Sequence, residues 1–429
     1  MSTEEKQNFP TFRDSESISI EYPKNEKEVS KLIKQFNKLD IPVELVGLNS
    51  KRKMGKPLQC AKTLNLSKID GIIEYLPEEL FIKVKACTPI NKIIEELKKN
   101  NQQLAFEPID FGYLFKGKSD FGTAAGLVAC NITGPRRFKS GSLRDHVLGF
   151  RGVNGKGEII KSGGVVVKNV TGYDLSKIIC GSYGTLVALT EITFKVLPLS
   201  KESKTLVIHN LKLESATDLL SKAIGSSNDV SGAVFLPVEP KCSNCKMNIE
   251  NTFKLNDLKF GGSLTAIRIE GSNKSIDERL KNLEKELMIK NKNISLLATY
   301  QSEIFWNKVK NLEFFTYTKN NILRIVVPPS QSVKILYQLN IRKYKYYIDW
   351  GGALIWMEAC DLTEEMFDSI RKKVVKCGGY ITMIKTSDFL PYVEEVFTIS
   401  RDRFIISQNL KTSFDPKRIL NPGKMYTGI

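Results

Sequence analysis

Apolar and polar positions near the start of the chain predict a small α/β unit over residues 17–110. The run 26–39 spaces its apolar residues about 3.6 positions apart, as an amphipathic helix does. Asn25 and Glu28 stand where a capping box would begin that helix. A second helix is predicted over 91–100, and short apolar runs between the two helices predict strands.

The remaining pattern predicts two larger regions and a closing segment. Residues 120–198 are rich in Val, Ile and Leu but often interrupted by glycine, which predicts a β region with a hairpin turn at 154–157. Residues 199–400 alternate helical and strand patterns, which predicts an α+β domain with antiparallel hairpins. Residues 401–429 close the chain with proline turns, and residues 1–16 form a polar N-terminal arm. We therefore expect an α+β protein.

Charge and composition narrow the class of protein. The 429 residues carry a formal net charge of +17, but the lysines are scattered over apparent helix faces. This favours a solvated surface over a nucleic-acid site, and an acidic partner or an anionic membrane surface remains open. The first residues lack the apolar core of a secretory signal, and no apolar run is long enough to span a bilayer. We expect a soluble, cytoplasmic protein that binds no nucleic acid.

The cysteines give little support to a metal site. Of the 8 cysteines, only Cys242 and Cys245 form a C-x-x-C pair. A zinc or iron–sulfur site needs about four ligands, and no second pair lies at a matching spacing. We therefore expect no metal and assign no role to this pair.

Residues 112–119, GYLFKGKS, match the phosphate-binding pattern G-x-x-x-x-G-K-[ST] letter for letter. That pattern works as a buried strand, a loop of small residues and a helix N-terminus that faces the phosphates. Here Tyr, Leu and Phe fill the loop, and the following DFGTAAG predicts a glycine-broken turn. We therefore predict that the segment is not a nucleotide-binding loop. The chain also lacks G-x-G-x-x-G, so a Rossmann site has no support.

The glycine-rich region resembles the FAD-binding domain of the vanillyl-alcohol-oxidase family, also called PCMH-type. Three motifs carry the resemblance in combination: GPRR at 134–137, KNVTGYD at 168–174 and NPGK at 421–424. Within that family the chain is similar to the FAD-binding subunits of bacterial glycolate oxidases, over most of its length. The resemblance implies a two-part FAD-binding domain over 17–198 and an α+β cap domain over 199–400. It also implies that the C-terminal segment returns to the FAD domain.

The resemblance further implies which residues meet FAD. They form a pyrophosphate loop, a threonine turn, two further glycine turns and the C-terminal motif: Gly47, Asn49, Ser50, Lys51, Thr123, Ala124, Ala125, Gly126, Gly134, Arg136, Gly141, Arg144, Asp145, Gly172, Tyr173, Asp174, Gly181, Gly184, Thr185, Leu186 and Asn421. The loop has fewer glycines than the family pattern, and Ala125 replaces a glycine. Covalent flavin attachment in such proteins uses a histidine or cysteine at special positions, and the chain has only His146 and His209 as histidines. We expect FAD to be bound noncovalently.

The resemblance implies the FAD-binding subunit of a multi-subunit glycolate (D-2-hydroxy acid) dehydrogenase, which oxidises glycolate to glyoxylate. The implied partners are a catalytic FAD subunit and an iron–sulfur subunit, with peripheral association at the inner face of the cytoplasmic membrane. Related dehydrogenases use several histidines as base and metal ligands, and two isolated histidines cannot supply them. Two alternatives stay open: a self-sufficient FAD-dependent D-2-hydroxy-acid dehydrogenase and an accessory scaffold subunit without FAD.

One charged residue is a candidate for contact with substrate. Arg324 interrupts the apolar run ILRIVVPP, and its guanidinium suits a carboxylate or a partner subunit. The alternative is an outward-facing arginine of a strand. Trp350 and Trp356 flank GGALI, where they either cover the flavin or pack inside the cap domain.

Overall fold

The computed structural model describes residues 19–164, 173–237, 262–289, 293–387 and 393–429. The strands are β1 (Ser19–Glu21), β2 (Val43–Val46), β3 (Lys62–Asn65), β4 (Ile72–Leu76), β5 (Phe81–Lys85), β6 (Gln102–Gln103), β7 (Val147–Asn154), β8 (Ile159–Gly163), β9 (Val187–Lys195), β10 (Leu197–Pro198), β11 (Glu202–His209), β12 (Val230–Leu236), β13 (Leu264–Gly271), β14 (Ile294–Leu297), β15 (Asn321–Val326), β16 (Lys345–Asp349), β17 (Leu354–Ala359) and β18 (Tyr380–Lys385). The helices are α1 (Glu26–Lys38), α2 (Ile90–Lys99), α3 (Gly112–Lys116), α4 (Ala124–Cys130), α5 (Arg137–Ser140), α6 (Leu143–His146), α7 (Leu175–Ile179), α8 (Leu213–Gly225), α9 (Asn273–Glu286), α10 (Thr299–Lys310), α11 (Ser332–Gln338), α12 (Glu364–Lys376) and α13 (Arg401–Phe414).

Three sheets and a short ribbon organise these strands. A parallel three-stranded sheet has the order β1-β3-β2, and an antiparallel five-stranded sheet has the order β4-β5-β9-β7-β8. The third sheet is antiparallel, with the order β14-β11-β13-β12-β16-β17-β15-β18, and β10 pairs with β6 in the ribbon. An α+β fold is thus confirmed, whereas the domain boundaries at 198 and 400 stay a prediction. Among the helices of the described ranges, none has the length and apolar character needed to cross a membrane.

Helix α1 forms as its local sequence predicts. The Asn25 Oδ1 accepts the backbone N–H of Glu28 at 3.0 Å, and the Asn25 Nδ2 donates to the Glu28 carboxylate at 2.8 Å. Val29, Ile33 and Phe36 are buried on one face, which packs against the parallel sheet. The predicted N-cap at Asn25 is therefore confirmed, and it fixes where the helix begins. Among the described residues the reciprocal bond of a capping box is not made to Asn25, because the Glu28 carboxylate accepts the backbone N–H of Lys24, at 2.8 Å.

The glycine-rich region is not purely β, and here the prediction was wrong. The short helices α4, α5 and α6 precede β7 and β8, and the short helix α7 lies between β8 and β9. The Thr123 Oγ1 accepts the backbone N–H of Gly126 at 3.2 Å and so begins α4, which ends at Asn131 in the left-handed conformation. A helix this short shows too few apolar repeats to be recognised from periodicity. The predicted hairpin turn is confirmed, because β7 ends at Asn154 and β8 begins at Ile159.

The segment 112–119 does not form a phosphate-binding loop, as predicted. Its first residues form the short helix α3, with Leu114 buried in the core. A Cβ at Gly112 would lie 2.2 Å from the backbone nitrogen of Asp120. Glycine is therefore required there by the close approach of the following loop.

The eight-stranded sheet buries both of its faces. On one face, Leu323 and Ile325 belong to a core shared with the helices α8, α9, α11 and α12. On the opposite face, Ile322 packs with Ile109 and other residues that precede position 199. We call the residues before position 199 the N-terminal half. Because strand side chains alternate, Arg324 lies on the same face as Ile322, toward the N-terminal half.

The C-terminal segment returns to the N-terminal half of the chain. Leu420 pairs with Val43 in an isolated parallel bridge beside β2. The fully buried Lys411 Nζ donates to the carbonyls of Thr185 and Leu420 and to the Asp415 carboxylate, at 2.7, 2.8 and 2.8 Å. These contacts fasten α13 and the last turns to the turn before β9.

A buried cluster of charges joins the two halves of the molecule. The Arg268 guanidinium of β13 donates to both oxygens of Glu107, at 2.8 and 3.2 Å. The Arg136 guanidinium donates to both oxygens of Glu270, at 2.9 and 2.7 Å, and its backbone N–H donates to Glu107 at 2.6 Å. All four side chains are at least about seven-eighths buried, with side-chain exposures from 4% to 13%. We call these four residues the ion cluster.

The two arginines of the ion cluster determine the protonation state of its two carboxyl groups. Burial alone would raise the pKa of Glu107, but the positive charges of Arg136 and Arg268 lower it to about 2. The pKa of Glu270 is also lowered, since burial is outweighed by the same two arginines. Both carboxylates are therefore ionised in the folded protein at neutral pH.

Glu107→Gln should destabilise the fold. The substitution keeps the shape of the side chain but leaves two buried guanidinium groups without their shared anion. Removing one partner of such a group costs about 3–5 kcal/mol. Urea unfolding followed by circular dichroism should show that loss, whereas Glu79→Gln, at an exposed site, serves as the matched control. Equal unfolding midpoints for the two variants would contradict a stabilising role for the cluster.

Stability should also depend on pH through Glu107. A carboxyl whose pKa is lowered on folding stabilises the folded state above its ordinary value of 4.5 and loses that effect as pH falls toward about 2. The wild-type protein should therefore lose more unfolding free energy than Glu107→Gln over this interval. Urea titrations at stepped pH measure the difference, and parallel profiles for the two proteins would count against it.

Candidate cofactor cleft and adjoining arginine cavity

A cleft of about 950 Å³ opens where the loop after β2 faces α4 and the turn before β9. We call it the cofactor cleft. The residues predicted from sequence that line it are Gly47, Asn49, Ser50, Lys51, Thr123, Ala125, Gly126, Gly184 and Asn421.

The loop 48–51 presents free backbone N–H groups to this cleft. Within the described ranges, none of these four N–H groups donates a hydrogen bond to the protein. Asn49 adopts a left-handed conformation with φ of 62°, and the Arg52 N–H returns to the Asn49 carbonyl at 3.5 Å. A turn that mixes right- and left-handed residues gathers its N–H groups into a concave anion site. The loop therefore suits a phosphate group.

Two lysines add positive charge to the same cleft. The Lys51 Nζ donates to the Phe121 carbonyl at 2.7 Å, and the Lys424 Nζ donates to the Arg52 carbonyl at 2.8 Å. Burial lowers the pKa of Lys51, and it lowers the pKa of Lys424 to about 8. In the part of the chain that the structure describes, neither ammonium group is bonded to a carboxylate, because nearby Glu44 is paired with Arg52.

Asn421 holds two walls of the cleft together. Its Oδ1 accepts the backbone N–H of Leu45 at 2.7 Å, and its Nδ2 donates to the Tyr183 carbonyl at 2.8 Å. Gly184 has φ of +74°, and a Cβ there would lie 2.7 Å from the Asn421 Nδ2. The amide thus positions the cleft, and the glycine allows its close approach.

These features fit FAD. Unpaired N–H groups and two ammonium groups match a doubly charged diphosphate, and glycine backbones at 47 and 126 leave room beside Thr123. The sequence analysis did not predict Lys424 as a cofactor residue. Its position as the lysine of the NPGK motif, which the resemblance singled out, could have indicated it.

The other predicted cofactor residues lie outside the cleft lining. Several have clear structural roles instead: Arg136 is in the ion cluster, Ala124 is fully buried in the core, and the Gly134 carbonyl accepts the Trp350 Nε1 at 3.0 Å. Thr185 donates to the Ser182 carbonyl at 2.7 Å. Their contact with cofactor stays a prediction.

A second group of predicted residues is turn-forming or exposed. The Asp145 carboxylate accepts the Ser142 N–H at 2.8 Å and lies against Gly141. Tyr173 is 92% exposed. The remaining members are Asp174, which is exposed, Gly181, which lies near Asn131, Leu186, which is buried in the core, and Gly172, which lies outside the described residues.

A second cavity, of about 1420 Å³, lies between the two halves of the molecule. Arg137, Arg144 and Arg324 line it around Trp350, and we call it the arginine cavity. The Cζ atoms of Arg324 and Arg137 lie 5.1 and 6.0 Å from the Trp350 ring centroid. Arg324 therefore faces this cavity, as its candidate role requires, and Arg144 lines it rather than the cofactor cleft.

The cavity and the cleft are neighbours. Cys130 at the end of α4 lines the cleft, and the next residue, Asn131, lines the cavity. Tyr183 lines the cleft, and burial raises the pKa of its hydroxyl well above the usual value, while the charge of nearby Arg324 partly opposes the rise. A molecule bound at Arg324 would therefore be close to a cofactor in the cleft.

Neither histidine is among the described residues that line these two spaces. The His146 Nε2 bonds to the Ser140 carbonyl at 2.8 Å, and its ring lies 5.5 Å from that of Phe106. The His209 Nε2 bonds to the Ser295 Oγ at 2.9 Å at the far end of β11. Trp356 is fully buried in the core, as its packing alternative predicts, and Trp350 faces the arginine cavity.

Comparison with known proteins agrees with this geometry. A model of the FAD binding domain matches residues 19–163. The chain is 31% identical to the glycolate oxidase subunit GlcE of Escherichia coli (strain K12) over 392 residues, 90% of this chain and 93% of that protein. It is 24% identical to the D-lactate dehydrogenase of Archaeoglobus fulgidus, covering 96% of this chain and 92% of that one.

Solved structures share the fold at low identity. The 4-ethylphenol oxidase from Gulosibacter chungangensis superposes with a TM-score of 0.69 at 13% identity, covering 95% of this chain and 89% of that one. An alkyldihydroxyacetonephosphate synthase gives a TM-score of 0.66 at 16% identity, covering 94% and 75%. The prediction that the cofactor is FAD is confirmed by the family match, whereas the residues that contact it stay a prediction. The chain belongs to the PCMH-type family of FAD-dependent oxidoreductases acting on CH–OH groups, among the glycolate oxidase subunits and D-lactate dehydrogenases.

Proposed function

We propose that this chain is the FAD-binding subunit of a multi-subunit glycolate (D-2-hydroxy acid) dehydrogenase that produces glyoxylate. The observation that carries the proposal is the cofactor cleft, with free N–H groups at 48–51 and the ammonium groups of Lys51 and Lys424. The relative from Escherichia coli, named as a glycolate oxidase subunit, supports assembly with other chains. The proposed partners are a catalytic FAD subunit and an iron–sulfur subunit, through which the complex attaches peripherally to the membrane.

The chemistry divides between cofactor and protein. Oxidation of a 2-hydroxy acid removes a hydride from Cα and a proton from the hydroxyl, and FAD, when bound, would supply the acceptor for that hydride. The loop 48–51 and the two lysines hold the diphosphate noncovalently. Arg324 holds the substrate carboxylate through its guanidinium. In the described chain no histidine reaches either space, so a base for the hydroxyl proton is assigned to the catalytic partner.

The absorption spectrum of the purified chain tests the proposal directly. We expect a flavin spectrum whose FAD is released by denaturation, because the binding is noncovalent. Glycolate added to the chain alone should not bleach the flavin, whereas glycolate added to the complex should. Bleaching in the isolated chain would instead establish the self-sufficient dehydrogenase, and a colourless chain that takes up no added FAD would establish the scaffold.

Affinity purification from cells tests the assembly. The tagged chain should bring down two other polypeptides, one of them rich in cysteine and carrying iron and acid-labile sulfide. A chain that elutes alone at native expression levels would contradict a stable complex.

FAD affinity should decrease as pH rises through about 8. Burial lowers the pKa of Lys424 to about 8 in the protein without cofactor, and a bound diphosphate favours the charged ammonium. Binding above pH 8 therefore requires proton uptake, which weakens it. Fluorescence titration of the cofactor-free chain with FAD at stepped pH measures the effect.

Two substitutions separate charge from structure at this position. Lys424→Arg keeps a charge that does not titrate, so its affinity should stay flat across this pH interval. Lys424→Met should bind FAD at least tenfold more weakly at pH 7. Lys53→Met, at an exposed position just after the loop 48–51, should match the wild type. An unchanged pH profile in Lys424→Arg would show that another group titrates.

A further inference from the structure

The arginine cavity holds more positive charge than one carboxylate requires. Among the residues described at its lining, three are arginine and none is aspartate or glutamate. A nearby carboxylate, that of Asp145, lies 4.0 Å from the Arg144 Nε. Its Oδ2 accepts the backbone N–H and the hydroxyl of Ser142 at 2.8 and 2.7 Å, so it is directed toward its own helix. The cavity is therefore strongly anion-attracting.

Arg324 is the member of the three that comes from the eight-stranded sheet. It is half-buried, and its Nε is buried with no hydrogen-bond partner. The Nε is enclosed by protein, but Arg324 lines the cavity and its guanidinium donates no hydrogen bond to a described residue. Its other N–H groups are therefore open to a ligand, and a carboxylate can accept from two of them.

Arg137 supplies a second guanidinium at the same indole ring. In the described ranges it makes no hydrogen bond through its side chain and no ion pair, and it is half-buried beside Trp350. The indole itself is fixed, because its Nε1 donates to the Gly134 carbonyl at 3.0 Å and the Trp350 backbone N–H donates to Asp349 at 2.7 Å. The fixed ring thus holds Arg137 and Arg324 beside it, each in cation–π contact.

We propose that the arginine cavity binds a small organic acid with two carboxylates, one at Arg324 and the other at Arg137. Arg144, whose side chain is half-exposed, attracts the same ligand at the mouth of the cavity. A cavity of about 1420 Å³ has ample room for a longer acid than glycolate. The binding site stands on these contacts alone. Glycolate has a single carboxylate, so this ligand is a different acid, and its identification as a further D-2-hydroxy acid that the complex oxidises rests on the proposed function.

Calorimetric titration of the full chain with non-oxidisable acids tests this inference. Malonate, succinate and glutarate are each compared with the monocarboxylate of the same carbon number, namely propionate, butyrate and valerate. The tightest dicarboxylate should bind at least tenfold more tightly than its monocarboxylate. Arg137→Gln should reduce that ratio to near one, and Arg324→Gln should weaken both ligands. Arg401→Gln, at an exposed position that begins α13, should behave as the wild type.

The outcomes separate this inference from the proposed function. Flavin content, measured on the same preparation, reports the proposed function, whereas the preference for dicarboxylates reports the site. Equal affinities for the paired acids, or a ratio that Arg137→Gln leaves unchanged, would overturn the inference even in a fully flavinated chain. Binding of a glutamate-rich peptide with no binding of any dicarboxylate would overturn it too, and would assign the cavity to a partner subunit.

Discussion

The buried pairing of two carboxylates with two guanidinium groups is the interaction on which the arrangement of the molecule depends. Glu107 and Arg136 come from the N-terminal half, and Arg268 and Glu270 come from neighbouring positions of β13. Since a charge removed from water is tolerated only with its partner present, the two halves cannot separate cheaply. The arginine cavity lies beside this cluster, because its lining residue Arg137 directly follows Arg136.

The GPRR motif shows how one short segment serves several sites. Its glycine carbonyl anchors the indole of Trp350, its first arginine enters the ion cluster, and its second arginine faces the arginine cavity. The resemblance predicted that Gly134 and Arg136 meet the cofactor. In the structure neither residue is among those that line the cleft, so their contact with FAD stays a prediction. The three contacts explain the residue types of the motif.

Local features of the structure were predictable from sequence, and long-range ones were not. The N-cap at Asn25 and the hairpin at 154–157 depend on residues a few positions apart, so their patterns are visible in the chain. The amide of Asn421 bonds to Leu45 across 376 positions, and no local pattern encodes that contact. The helix α4 was missed because its seven residues are held by a threonine cap and by tertiary packing rather than by periodicity. Nine of the predicted cofactor residues nevertheless line one cleft, because family motifs record long-range geometry that periodicity cannot.

The buried charges of this molecule are of two kinds: some are paired with opposite charges of the protein, and others have no such partner among the described residues. In the ion cluster two anions balance two cations, so the charges are satisfied within the protein. In the cleft, Lys51 and Lys424 have only carbonyl and hydroxyl partners among the described residues, and at Arg324 one N–H has none. Uncompensated cations persist in a folded protein where a ligand anion offsets their desolvation. On the function and the ligand proposed above, the two adjoining spaces are paired anion sites, one for the diphosphate of FAD and the other for the carboxylates of an acid beside it.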